Sequence, residues 1–428
     1  MVSWTFRKAP GFFDIVTWTG NDTPRTIAHN LGTVPGMIMV KRTNSANDWA
    51  VYHRSLGNTQ FMYLNNNYAS GSYTGGWNNT TPTSTHFTVG DGAMVNSGSD
   101  TFVAYVFAHD AAQFGTGGDE SIIKCGVMNQ GTGLYDIGFE PQFMLVKPAG
   151  ATGSWALFDD MRGFGLEGVA GAQNLFANTN AAESAVYGVD LTSTGFNNRS
   201  YSTADNAIYM AIRRPNKPPE AATDVFAVDT GNSSSTIPAF DSGFPVDFAI
   251  LKEYNTGPND NFTFSRLTGT RVLRTNTNVA EVNGGGLWIA DSNVGWSKSY
   301  DSTNISYMFK RAPGFMDVVT YTGNLTARTI NHNLSAIPEL VIVKNRTDTG
   351  GASWSTWTSY LPEGYALLLN DIQQGIDRGT QYWNANSTFT TTTFGLGNQP
   401  PTNQNNHKFV GYLFASLAGI SKIGTYSG

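Results

Sequence analysis

The residues of this sequence that could do chemistry are six histidines, one cysteine and a few close carboxylates. His29, His53, His86, His109, His332 and His407 never stand in a His-x-x-x-His or similar spacing, so no pair is set on one helix face to share a metal. Cys125 lies in the apolar run Ile122-Ile123-Lys124-Cys125-Gly126-Val127 and reads as a small buried hydrophobe. A reactive thiol needs an electropositive neighbourhood, and Lys124 alone supplies little of one. Asp159 and Asp160 follow Trp155, and Asp110 and Glu120 stand near the start of the second repeat. Glycoside cleavage needs two carboxyl groups about 5–9 Å apart. Neighbouring residues of a strand point to opposite faces, so Asp159 and Asp160 fit a solvated turn better. No phosphate-binding glycine loop and no G-x-S-x-G turn occurs. These residues predict no catalytic group, no bound metal and no cofactor.

Non-covalent chemistry is better served. Aromatic rings stack on sugar faces while side-chain amides and hydroxyls satisfy sugar hydroxyls. Tyr68, Tyr73, Trp77, Trp288, Tyr382 and Trp383 stand among Asn, Thr, Ser and Gly and are the candidate glycan contacts. The competing role for all six is to anchor loops. His29 and His332 share one place in a repeated His-Asn-Leu turn ahead of an apolar strand. There, capping of backbone groups is the expected role.

The elements that must position these residues are strands. Charged residues are 14% of the 428, against about 25% in ordinary soluble domains. Gly, Asn and Thr are abundant, while the helix-forming Lys, Glu and Leu are thin. No segment sustains a 3.6-residue apolar period, and the best helix candidate, residues 181–190, is weak. The net charge of −6 comes without a basic patch, which excludes phosphate-backbone binding as a main role. No stretch approaches the ~18 apolar residues of a membrane span. The start, Met1 to Lys8, lacks the apolar centre of a signal peptide. A soluble chain made in a cytoplasm, without membrane insertion, is expected.

Internal repetition organises the chain. Residues 7–41 align without a gap to residues 310–344, with 20 of 35 positions identical. Three markers recur between them. A proline, an apolar run and a lysine end at Lys41, Lys147, Lys252 and Lys344. An aromatic cluster follows as Trp49-Ala50-Val51-Tyr52, Trp155-Ala156-Leu157-Phe158, Phe262-Thr263-Phe264 and Trp354-Ser355-Thr356-Trp357. Closing strands carry Tyr105, Tyr209, Tyr307 and Tyr412. The fold class expected is all-β: four tandem β-sandwich or jelly-roll-like repeats of about 100 residues. Their bounds are 9–110, 111–217, 218–312 and 313–420. Within the first, strands are read at Phe13–Thr19, Met37–Lys41, Asp48–His53, Phe87–Val89 and Phe102–Phe107. The run Met37–Lys41 is continuous enough to be buried on both faces.

The ends are out of phase with this count. Residues 1–8 match the closing strand of a preceding repeat, and residues 421–428 the opening strand of a following one. Unpaired strand edges invite partners. Three arrangements stay open: membership of a longer chain, strand addition between copies, or pairing inside the adjacent repeat.

The segments Arg311-Ala312-Pro313-Gly314-Phe315, Asp317 through Gly323, His332-Asn333-Leu334, Pro35 through Arg42 and Trp49 through Leu56 carry a family likeness. They resemble a repeated domain of unknown function found in tail-fibre-like and other structural proteins of marine bacteriophages, those of cyanobacterial phages above all. The likeness is clear in the first and fourth repeats. It is poor in the second and third, where Asp136 to Phe139 and Asp241 to Phe244 replace His-Asn-Leu. It implies a virion location and no activity. The expectation is a tail-fibre or tail-appendage component that spaces, docks or presents a host-recognition surface. Its partners would be other virion proteins or copies of itself, and host surface glycan. A lectin-like receptor-binding module and a head-surface decoration or fibre protein are the alternatives, and a polysaccharide depolymerase is a weaker one.

Overall fold

The computed structural model describes residues 2–426 except 116, 162–171, 187, 234–236, 256, 258, 286–287 and 301. Strand makes up 39% and helix 7%, so the chain is nearly all β. By contacts it divides into two compact units. The first holds the first two repeats and the second the last two, except that Asp160, Met161, residues 191–194 and residues 215–217 count with the second unit.

The first repeat sets the pattern. Its strands are β1 (Phe13–Thr19), β2 (Arg25–Ala28), β3 (Met37–Arg42), β4 (Ala50–His53), β5 (Gln60–Tyr63), β6 (Gly71–Ser72), β7 (His86–Val89) and β8 (Thr101–Phe107). Six of them form one antiparallel sheet in the order β1-β8-β3-β4-β5-β6, while β2 and β7 form a separate two-stranded sheet. The period of two in each strand sends alternate side chains to opposite faces. The inner face of the large sheet, with Trp18, Ile38, Val40 and Phe102, meets Ile27, Phe87 and Val89 of the small one. Burial of apolar area between two sheets is the main stabilising term of such a sandwich.

The same order recurs three times. The sheet of the second repeat contains Ile123–Met128, Ala207–Arg213, Pro141–Lys147, Ala156–Asp159, Ala172–Phe176 and Ser184–Val186. That of the third contains Phe226–Thr230, Asn304–Phe309, Phe248–Glu253, Phe262–Ser265, Arg271–Arg274 and Val282–Asn283. That of the fourth contains Met316–Thr322, Lys408–Phe414, Leu340–Asn345, Ser355–Thr358, Tyr365–Leu368 and Ile376–Asp377. Each has a small companion sheet. The weak helix candidate at residues 181–190 is instead strand at Ser184–Val186 and at Val189–Thr192. Short β-branched and polar segments there gain more from ladder pairing than from an isolated helical turn.

Register corrects one marker. Tyr105, Tyr307 and Tyr412 stand opposite Met39, Ile250 and Ile342. In the second repeat the matching place, opposite Leu145, belongs to Met210, and Tyr209 stands opposite Val146. A slip of one residue turns a side chain to the other face, so Tyr209 is not the counterpart of Tyr105.

Residues 2–8 and 422–426 lie outside every ladder. Residues 2–8 form no regular element, with Phe6 against Phe13, Phe107 and Phe143, and Trp4 against Phe143. The bridge Leu417↔Ser421 repeats the turns closed by Ala9↔Phe13 and Ala312↔Met316. Gly419, Gly11 and Gly314 all take positive φ there, a conformation that suits a residue without Cβ.

Candidate functional site: the junctions between paired repeats

A turn follows β4 and β5 in each repeat, and one asparagine ties it. Asn65, Asn178, Asn276 and Asn370 accept from the backbone N–H of Trp49, Trp155, Asn261 and Trp354, at 2.9, 2.9, 3.0 and 2.8 Å. Each amide also donates to the residue before that position: Asp48, Ser154, Asp260 and Ser353. The clamp is present in all four repeats, including the two with weak sequence likeness.

The loop so held becomes a docking edge in the first and third repeats. In the first unit, Trp155 of the second repeat donates its indole N–H to the carbonyl of Tyr63 at 2.8 Å. Lys147 Nζ reaches the carbonyl of Asn67 at 3.4 Å, and Ser70 N–H donates to the carbonyl of Ala149 at 2.8 Å. In the second unit Trp354 donates to the carbonyl of Arg274 at 2.9 Å. Lys344 Nζ donates to that of Asn278 at 3.2 Å, and Glu281 N–H to that of Arg346 at 2.8 Å. Tyr63, Asn67 and Ser70 correspond to Arg274, Asn278 and Glu281 at one constant sequence offset. One junction has therefore been built twice.

The apolar part of each junction joins the outer faces of two large sheets. Phe143, Leu145, Trp155, Ile208, Met210 and Ile212 of the second repeat share one core cluster with Met37, Met39, Val51 and Phe107 of the first. In the second unit Phe248 meets Tyr412 at 4.3 Å between ring centres, and Phe309 meets Phe414 at 6.0 Å. This second partner sheet is why β3 is buried on both faces.

The four marker lysines split into two roles. Lys41 and Lys252 donate to carbonyls of their own repeats, Asn47 at 2.8 Å and Asn259 at 2.7 Å. Lys147 and Lys344 are fully buried and cross the junction. Loss of water around their ammonium groups pulls both down to about 8. In the second unit a buried ion pair adds to the junction: Arg346 holds Glu281 through Nε at 2.7 Å and through its terminal nitrogen at 3.1 Å. His53 lies at the first junction, its Nε2 on the carbonyl of Tyr209 at 3.1 Å and its Nδ1 accepting from Ser55 N–H at 3.2 Å. Burial holds it down to about 4, so the ring is neutral with Nε2 as donor.

The family model of a domain of unknown function, DUF7483, matches residues 6–214 and 288–428. The chain belongs to this family. No curated protein and no solved structure matches it. The two stretches of DUF7483 take in both repeats of the first junction and the fourth repeat. The unmatched residues 215–287 are the larger part of the third repeat, which nonetheless keeps the same sheet order.

Against this DUF7483 framework the candidate glycan contacts separate. Tyr68 and Tyr73 are exposed, at 59% and 41%. Trp77 and Trp383 are 1% exposed and sit in the cores of the first and fourth repeats, so neither offers a ring face to a surface glycan. Trp288 is also a core residue, against Phe262, Trp296 and Tyr300. Tyr382 is half-buried beside the fourth core, under the guanidinium of Arg378. Short Gly- and Asn-rich connections fold these rings inward because their apolar area outweighs the polarity of their neighbours.

The histidine turns cap backbone groups. His29 and His332 accept through Nδ1 from Leu31 and Leu334 N–H, at 3.3 and 3.2 Å. Cys125 is buried and its thiol is pushed up to about 12 by loss of water, which leaves it inert. Asp159 departs from the solvated turn expected of it: it is 5% exposed and accepts from the indole of Trp4 at 3.0 Å. Glu120 pairs with Arg213, and Asp110 with Lys124 at 3.3 Å. Among the described residues no three His, Cys, Asp or Glu side chains are placed to hold a metal, and no helix is long and apolar enough to cross a membrane. The asparagine clamps went unseen in the sequence. Asn is so common here that only their recurring place, 15 or 16 residues after the Trp position in three repeats and 23 after it in the second, could have revealed them.

Proposed function

We propose that the chain is a structural component of a bacteriophage particle, of the tail-fibre or tail-appendage kind, and that its working part is the paired repeat. The observation that carries this reading is the duplicated junction. Trp155 on Tyr63 and Trp354 on Arg274 fix two pairs of sandwiches by the same bonds. Its bonding groups and buried rings are spent on holding repeats together, as suits a part whose task is to keep position under load. The virion setting comes from the family likeness of the repeated segments. Host surface glycan is the second reading, favoured by the exposed rings of Tyr68 and Tyr73.

Purified particles, digested and read by mass spectrometry, should contain peptides of this chain. Antibody labelling should place it on the tail, and labelling on the capsid would favour the head-decoration alternative. Presence in infected cells with absence from particles would refute the virion reading. A glycan array tests the second reading: binding should fall when Tyr68→Ala and Tyr73→Ala are introduced together.

A further inference from the structure

The third repeat closes its sandwich differently from the first and fourth at one end. In the first, residues 90–100 join the seventh and eighth strands and include the short helix Ala93–Asn96. In the fourth, residues 397–407 make the same connection with the helix Pro400–Asn403. These helices plug the space above the third strand. Asn47 donates to the carbonyl of Ala93 at 3.3 Å, and Asn345 donates to Gln404, just past the other helix, at 3.1 Å. Asn96 and Asn403 are fully buried inside the plugs.

In the third repeat the connection is residues 297–303. It is shorter, and no helix occurs among its described residues. The counterpart of Asn47 there is Asn259, whose carbonyl accepts from Lys252 as that of Asn47 does from Lys41, and the counterpart of Asn345 is Glu253, the residue after the marker lysine. Where the plug would stand is a cavity of about 510 Å³. One wall is aromatic, with Trp288 and Tyr300. The other is polar, with Glu253, Asp260, Arg274 and Asn283. The polar wall is held in place before any ligand arrives. Arg274 pairs with Asp260 at 2.9 Å and lies over the Phe262 ring at 5.5 Å, and Asn259 donates to Glu253 at 2.6 Å.

We infer that this cavity in the third repeat is a binding pocket for a neutral saccharide. Its volume lies within the ordinary range for small-ligand sites, about 300–1,000 Å³. Carboxylates accept and do not donate, so the ligand must bring several hydroxyl donors. The half-buried ring of Tyr300, backed by the core residue Trp288, suits the C–H face of a pyranose. Two carboxylates against one guanidinium leave an excess negative charge, which disfavours phosphates and uronic acids. Residues 215–287, which supply most of the polar wall, are also those outside the family match, so the pocket belongs to this chain's own third repeat. The inference does not depend on a virion location.

Saturation-transfer NMR on the intact chain tests it with glucose, galactose, mannose, N-acetylglucosamine and glucuronate as probes. At least one neutral sugar should bind saturably, and glucuronate at least about tenfold more weakly, a difference near 1.4 kcal/mol. Asn283 is exposed, so Asn283→Trp should fill the mouth, leave the melting profile intact and abolish binding. Glu253→Gln should narrow the gap between neutral sugar and glucuronate. The inference is overturned if no probe saturates, or if sugar binds a folded Asn283→Trp variant as tightly as the wild type. Should Asn283→Trp melt early, an unchanged preference in Glu253→Gln overturns it instead.

Discussion

Trp155 donates its indole N–H across a repeat boundary to the carbonyl of Tyr63, 2.8 Å away, with 1% of its surface exposed. Removal of a buried Trp side chain typically costs about 3–5 kcal/mol, and here a carbonyl also loses its partner. Trp155→Ala should therefore lower the melting transition of the first unit and leave that of the second in place. Trp354→Ala should do the reverse. Scanning calorimetry reads both, and equal shifts of both transitions by either variant would contradict the assignment.

The asparagine clamps predict a position-specific cost. Each amide satisfies a backbone N–H at the start of the fourth strand of its repeat. Asn65→Ala and Asn276→Ala should each cost about 0.5–1.5 kcal/mol, the usual net contribution of one hydrogen bond where the freed N–H can turn to water. Exposed Asn67→Ala should cost under about 0.5 kcal/mol. Urea titration distinguishes them.

Acid should loosen the first unit. His53 and His109 are both held down to about 4, by burial first and by the charge of Arg54 after it. An unfolded histidine titrates near 6.5. Between 6.5 and 4 the unfolded chain binds more protons, so the stability present above 6.5 is lost as pH falls through that window. The first transition should move down between pH 7 and 4.5, and His53→Gln should flatten part of that slope. A pH-independent first transition in the wild type would count against the buried neutral ring.

The junction lysines predict a second rise of stability with pH, of the same sign, in the alkaline range. Lys147 and Lys344 fall to about 8 in the fold against 10.5 in a free chain. The unfolded state again holds more protons between these values, so their contribution to stability rises as pH goes from 8 to 10. Lys147→Met together with Lys344→Met should remove that rise in a series of denaturant midpoints. Persistence of the full rise in the double variant would assign it elsewhere.

Much of the fold was legible because alternation and turns are local signals. The strand Phe13–Thr19 stands as read, and Met37–Lys41 extends only to Arg42. What escaped were features set by tertiary contact. The four lysines look alike in sequence, yet two turn to their own loops and two cross to a neighbour, a difference that only the facing sheet creates. Tyr209 imitates a marker one residue out of register. Trp77, Trp288 and Trp383 stand among polar residues, and composition alone does not reveal that their loops fold inward. Asp159 looks like a turn residue until Trp4, far away in sequence, closes over it.

The duplicated junction is most directly tested by cross-linking. Ser70 and Ala149 are joined by a backbone hydrogen bond across the first junction, and Glu281 and Arg346 by its counterpart in the second. Such neighbours lie within the Cα separation that a disulfide spans, about 4.4–6.8 Å. In a Cys125→Ser background, Ser70→Cys with Ala149→Cys and Glu281→Cys with Arg346→Cys should each close an intramolecular disulfide on mild oxidation, visible as a mass loss of two hydrogens. Closure of both is the result expected of one junction built twice. Free thiols at both sites in folded protein would contradict it.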